Sequence, residues 1–88
     1  MTHDEALAMI RAVIEEAVPG ADLAAVPPDE PFRERLEMDS LDFLTFVELL
    51  GGRTGLALPE QDYGALATLD GCADYVASRT GGPPAAPS

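Results

Sequence analysis

Ser40, His3 and Cys72 are the side chains singled out in this 88-residue chain for nucleophile or base chemistry, and each stands apart from the helpers such chemistry needs. Ser40 lies in RLEMDSLDFLTF, residues 35 to 46, where a charged loop gives way to an apolar run. A hydrolytic serine needs a positioned histidine and commonly sits in a Gly-x-Ser-x-Gly turn. The one histidine is His3, a residue expected to be solvated at a helix start, and no such turn surrounds Ser40. Cys72 is the only cysteine, which excludes an internal disulfide and a multi-cysteine zinc site. All five basic residues are arginines, so Schiff-base and P-loop lysine chemistry are absent. No catalytic residue and no metal ligand is assigned. The Ser40 hydroxyl is either part of a helix start or a group that another molecule must activate.

The elements that must position Ser40 read as helices. With 47% hydrophobic residues but only 6% aromatic ones, the composition suits a compact helical domain. A chain of this size buries only roughly 60–65% of its unfolded surface, so a deep enzyme cleft is not expected. Thr2 and Glu5 have the form of a capping box, and Leu7, Ile10, Val13, Ile14 and Ala17 follow at helical spacing, predicting a helix over 3–17 that Pro19 and Gly20 stop. Residues 21–38 carry three prolines and no sustained period, so they read as a long surface connection. Such a length is unusual unless it is anchored, here by Leu23, Val26, Phe32 and Leu36.

A second long helix is predicted from Asp39 or Ser40 to Gly51 and Gly52. Phe43, Phe46, Val47 and Leu50 share one side of it, while Asp42, Thr45 and Glu48 mark the other. Leu41 and Leu49 fall in the polar sector, leaving apolar surface beside acids. Pro59 opens a short helix to about Leu66, and Thr68 caps a last helix with Leu69, Cys72, Ala73 and Val76 on its apolar stripe. Cys72 is therefore expected to be a buried packing residue. The expectation is all-α: a small bundle of three main helices plus one short helix, with a long loop between the first two. Residues 1–79 form the domain, and 80–88, built of linker residues, are expected to be disordered.

Sixteen acids against five bases give a formal net charge of −11. That field repels nucleic acid and anionic membranes, favours a basic protein surface as partner, and argues for a monomer. No run of about 18 apolar residues suggests a membrane span, and the N-terminus lacks the basic and apolar segments of a secretory signal, so a cytoplasmic location is expected.

The stretch DSLDFLTFVELLGGRTGLALPEQDYGALATLDGCADYV, Asp39 to Val76, resembles the second half of an acyl carrier protein. It has Asp-Ser-Leu at a helix start, the Gly55-to-Pro59 segment, and a Thr-initiated last helix ending near Asp-Tyr-Val. With the preceding helix, the long loop and the acidic charge, the resemblance spans residues 3 to 79. It implies that Ser40 receives 4′-phosphopantetheine from a separate phosphopantetheinyl transferase, and that the thiol of this arm carries an acyl or aminoacyl chain as a thioester. It further implies that Asp39 and Asp42 meet basic patches on the transferase and on acyl-loading and acyl-processing enzymes, with Leu41, Leu44 and Glu48 completing the docking face. The local reading agrees, since Ser40 in a first helical turn points outward and a phosphodiester there meets the positive end of the helix dipole.

This chain departs from the family pattern in several places. Glu37 stands where glycine is frequent, adding charge and asking for an ordinary backbone angle. Thr45, Gly51 and Gly52 stand where acids are common. The missing acids suggest a free-standing carrier of a specialised lipid or secondary-metabolite pathway, its helices soft enough to part around a short chain. The alternative is an acidic helical adaptor that binds a basic or apolar partner groove through Leu41, Leu44 and Leu49, with Ser40 unmodified.

Overall fold

The computed structural model describes residues 2–80 and is all-helical there. Helix α1 spans His3–Ala17, the single turn α2 spans Phe32–Arg35, α3 spans Ser40–Thr54 and α4 spans Leu69–Thr80. Two 3-10 segments, Leu23–Ala25 and Glu60–Leu66, complete the order along the chain. The three long helices and one shorter 3-10 helix match the expected bundle. The linker-like residues beyond Thr80 lie outside the described ones.

The capping box forms as the sequence predicts. The Thr2 N–H donates to Glu5 Oε1 at 2.8 Å, and the Glu5 N–H donates to Thr2 Oγ1 at 3.1 Å. These Thr2 hydrogen bonds hold the Glu5 carboxyl below its ordinary value. From this start α1 buries Ala6, Ile10, Val13 and Ile14, while Leu7 and Ala17 pack at the core's edge. Helix α4 buries Leu69, Cys72, Ala73 and Val76 as expected, and Tyr75 as well. Its first turn presses against the end of the 3-10 helix. A Cβ on Gly71 would lie 2.5 Å from the Ala65 carbonyl oxygen, so only glycine allows that approach.

The long connection is less featureless than its sequence suggests. Val26 and Phe32 are buried, Leu23 and Leu36 pack against the core, and Met38 is buried as well. The backbone is stitched to the start of α4: the Phe32 N–H donates to the Ala67 carbonyl at 3.2 Å, and the Asp70 N–H to that of Pro28 at 2.9 Å. Arg35 pairs with Glu30 at 2.8 Å. These links satisfy backbone groups that would otherwise be stranded beside the core.

Helix α3 does not end at Gly51 and Gly52, as the sequence led us to expect, but runs to Thr54. Neither glycine has a positive φ; the chain leaves the helix at Gly55, whose φ is 73° and whose N–H donates to the Gly51 carbonyl at 2.8 Å. Tertiary contacts carry the helix through two poor helix formers. Arg53 pairs with Glu16 of α1, Thr54 Oγ1 donates to the Leu50 carbonyl, and the returning chain lies against Gly51 through the Leu56 carbonyl oxygen.

Candidate functional site

Ser40 is aimed by the turn that precedes it. After α2, the Glu37 N–H donates to the Glu34 carbonyl at 3.2 Å and the Met38 N–H to the Arg33 carbonyl at 2.9 Å. This pair of bonds is the Schellman closure of a helix, and it requires a left-handed residue at its centre. That residue is Glu37, at φ 53°. The sequence reading gave Glu37 an ordinary backbone angle, and the structure overturns it: the left-handed turn that glycine favours is kept here with a glutamate. Met38 can then bury its side chain in the core while Asp39, exposed, starts α3.

Asp39 and Asp42 form a second capping box. The Asp42 N–H donates to Asp39 Oδ1 at 2.8 Å, and the Asp39 N–H faces Asp42 Oδ2 at 3.4 Å. Ser40 is the first residue of α3 and is exposed. Among the described residues no group hydrogen-bonds its hydroxyl, so its oxygen stands free in solvent with the open Ser40 and Leu41 N–H groups beside it.

The outer face of α3 carries the rest of the predicted site. At 100° per residue, Leu41, Leu44, Thr45 and Glu48 fall opposite the buried stripe of Phe43, Phe46, Val47 and Leu50, with Ser40 at their N-terminal edge. Leu41 is 73% exposed and Leu44 44% exposed, the two large apolar side chains left most open to water among the described residues. Asp42 is half-buried at the flank, and Leu49 turns toward the core, which removes it from the exposed set.

Sequence reasoning missed the surroundings of Arg33. Its guanidinium lies 4.6 Å from the centroid of the Phe43 ring, and it walls a cleft of about 400 Å³ with Pro31, Glu34, Glu37, Met38 and Ala67. Behind the cleft runs a chain of touching rings. Phe32 meets Phe46 at 5.6 Å, Phe46 meets Phe43 at 5.9 Å, and Phe43 meets Tyr63 of the 3-10 helix at 5.4 Å. The Tyr75 hydroxyl donates to Asp62 at 2.8 Å, a bond that raises the tyrosine's own ionisation point and ties the 3-10 helix to α4. Ring contacts join segments far apart in sequence, which no local period reveals.

The other two reactive side chains are engaged elsewhere. His3 Nε2 lies 3.4 Å from both Asp70 and Asp74 of α4, so it joins two helices instead of standing solvated and alone. Cys72 is fully buried, its thiol 3.4 Å from the Leu66 carbonyl, and burial pushes its pKa up to about 12. A thiol held that firmly in its neutral form is a packing group. No cluster of three or more His, Cys, Asp or Glu among the described residues has the geometry to hold a metal ion.

Ser40 thus stands at a helix start, exposed, without a hydrogen-bond partner for its hydroxyl among the described residues, and rimmed by two capping acids. The family described as "Phosphopantetheine attachment site" matches residues 8–76, and the chain belongs to this family of acyl carrier proteins. It is 32% identical over 76 residues to an acyl carrier protein of Rubrobacter xylanophilus, covering 86% of this chain and 93% of that one. Against an acyl carrier protein of Myxococcus xanthus it is 27% identical over 75 residues, 85% of this chain and 94% of the relative. The meromycolate extension acyl carrier protein of Mycobacterium leprae is 28% identical over 76 residues, 86% of this chain and 65% of its own length. No solved structure matches. Proteins of this family are carriers without catalytic activity of their own, with 4′-phosphopantetheine held covalently on a serine, and they work with a phosphopantetheinyl transferase and acyl-processing enzymes. Among the described residues no helix is long and apolar enough to cross a membrane.

Proposed function

We propose that Ser40 is the attachment residue and that this chain, acting in the cytoplasm as a monomer, presents acyl thioesters to the enzymes of a specialised pathway. The observation that carries the assignment is the Ser40 hydroxyl itself, exposed and unpartnered at the first residue of α3 within the matched segment. The bound group supplies a thiol that holds the acyl chain as a thioester. The chain supplies everything else: an outward oxygen, two flanking acids, and an apolar face beside them. The base that removes the Ser40 proton must come from the transferase, because Asp39 and Asp42 are spent on each other's N–H groups and His3 is paired with α4.

Docking would use Asp39, Leu41, Asp42, Leu44 and Glu48 against a basic patch carrying an apolar pocket, a combination that gives fast, salt-sensitive encounters of modest strength. Support for a specialised pathway comes from the same face. Thr45 occupies its centre, and the added turn of α3 carries Gly51, Gly52 and Arg53, so the helix presents few acids to a partner that reads acids. Incubation with coenzyme A, magnesium and a broad-specificity transferase should add one phosphopantetheine by intact mass, and none to Ser40→Ala. If general fatty-acid synthesis enzymes accept the modified protein as well as their own carrier, the specialised reading is wrong. The exposure of Leu41 and Leu44 also suits an unmodified adaptor; no mass gain, with partner binding that survives Ser40→Ala, would select that alternative.

A further inference from the structure

If Ser40 is the attachment residue, the root of its arm is a phosphodiester, and the chain's own charges decide where that root rests. Asp39 and Asp42 already engage the N–H groups of one another at the start of α3. A third anion placed on Ser40 enters beside these two carboxylates, in a protein of net charge −11, and like charges so close repel. A nearby cation would relieve this.

One arginine is placed for that task. Arg35 pairs with Glu30, Arg53 pairs with Glu16, Arg79 stacks 3.8 Å over the Tyr75 ring, and Arg11 borders a separate cleft with residues 23–28. Arg33 has no carboxylate within ion-pair distance among the described residues and rests on Phe43. Phe43 is three residues beyond Ser40, on the adjacent turn, which puts the guanidinium on the order of 10 Å from Ser40. Pairing requires a rotation of the Arg33 side chain from the Phe43 ring toward Ser40.

The cleft that Arg33 walls is apolar at Pro31, Met38 and Ala67. A cation beside three apolar walls suits a group with an anionic root followed by a branched hydrocarbon, as the phosphate and gem-dimethyl carbons of the arm are. Glu34 and Glu37 also border this cleft and, like Asp39, are exposed, so salt weakens their repulsion and the Arg33 attraction alike. On the inner side, Phe43 of α3 meets Tyr63 of the 3-10 helix edge-on, and Phe46 and Phe32 continue this series of ring contacts.

We propose that Arg33 is a positioning residue that pairs with the phosphodiester on Ser40 and seats the first part of the arm in the cleft between Pro31, Met38 and Ala67, outside the core. The arm would then leave the protein from a fixed root with its thiol end free.

The test uses the full chain before and after modification from coenzyme A, with complete conversion verified by intact mass. Phosphorus and proton–nitrogen spectra are compared for the parent chain, Arg33→Gln and Arg33→Lys, each against its own unmodified form. In the parent chain, modification should shift the Arg33 Nε–H and the Met38 and Ala67 amides, and added salt should move the phosphorus resonance. In Arg33→Gln the Met38 and Ala67 shifts and the salt response should vanish and the gem-dimethyl lines should narrow; Arg33→Lys should restore the salt-sensitive part. Identical shift maps for the parent chain and Arg33→Gln would overturn the proposal while leaving Ser40 as the attachment residue. Failure of the mass gain would remove both.

Discussion

Replacing Glu37 by glycine should make this protein more stable, although the change deletes a side chain. At φ 53° Glu37 is the one non-glycine residue in the left-handed region among those described. That conformation costs an L-residue about 1–2 kcal/mol, whereas glycine adopts it freely but loses about 0.5–1 kcal/mol more in ordering its backbone. The difference is a net gain of about 0.5–1 kcal/mol for Glu37→Gly. At about 4–8 °C per kcal/mol for a domain of this size, Tm should rise by roughly 2–8 °C. Removing one of sixteen acids also relieves some self-repulsion, so Glu37→Gln and Glu37→Ala serve as controls that keep the backbone penalty. Asparagine tolerates the left-handed region better than most residues, so the expected order is Gly, then Asn, then Gln and Ala close together. Reversible thermal melts followed by far-ultraviolet circular dichroism, with urea titrations for ΔG, read the series. If glycine proves no more stable than alanine, the strain attributed to this turn is absent and the argument from the Schellman closure is wrong.

Asp39→Ala should cost about 1 kcal/mol through loss of the cap on α3, while Asp39→Asn keeps a capping oxygen and should cost much less in the same melts. The double change of Asp39 and Asp42 to Asn should slow modification of Ser40 at low salt, with the deficit shrinking as salt rises; an unchanged rate would remove these acids from docking. Cys72 should resist thiol reagents at pH 8 in the folded protein and react promptly in denaturant. Its folded pKa of about 12 lies above the ordinary 9.0, so the folded state keeps a proton that the unfolded state releases. Stability should therefore fall as pH rises from about 9 toward 12, and Cys72→Ala should flatten that slope.

The helices and their buried faces were legible because their signals are local. Ile10, Val13 and Ile14 in α1, Phe43, Phe46, Val47 and Leu50 in α3, and Leu69, Cys72, Ala73 and Val76 in α4 all repeat at the helical period, and all are buried. Thr2 and Asp39 cap where their side chains allow. What escaped was set by partners distant in sequence. Glycines 51 and 52 read as a stop, yet α3 continues because Arg53 and Thr54 find contacts on α1 and on the helix itself. Glu37 gave no sign of a left-handed angle, since only the bonds back to Arg33 and Glu34 impose it. His3 meets Asp70 and Asp74 across 67 and 71 residues of chain, and Arg33 meets Phe43 across a loop. The exposed hydroxyl of Ser40 was readable, but the cleft beside it was not.

The chain has no tryptophan, so its ultraviolet emission comes from Tyr63 and Tyr75 alone. Both report on one seam: Tyr63 is edge-on to Phe43 of α3, and Tyr75 is bonded through its hydroxyl to Asp62. A carboxylate acceptor dims tyrosine emission, so detachment of the 3-10 helix from α4 should brighten the protein. The molecule thus carries its own unlabelled optical gauge of the seam that joins the 3-10 helix to α3 and α4, and stopped-flow fluorescence can follow it in real time.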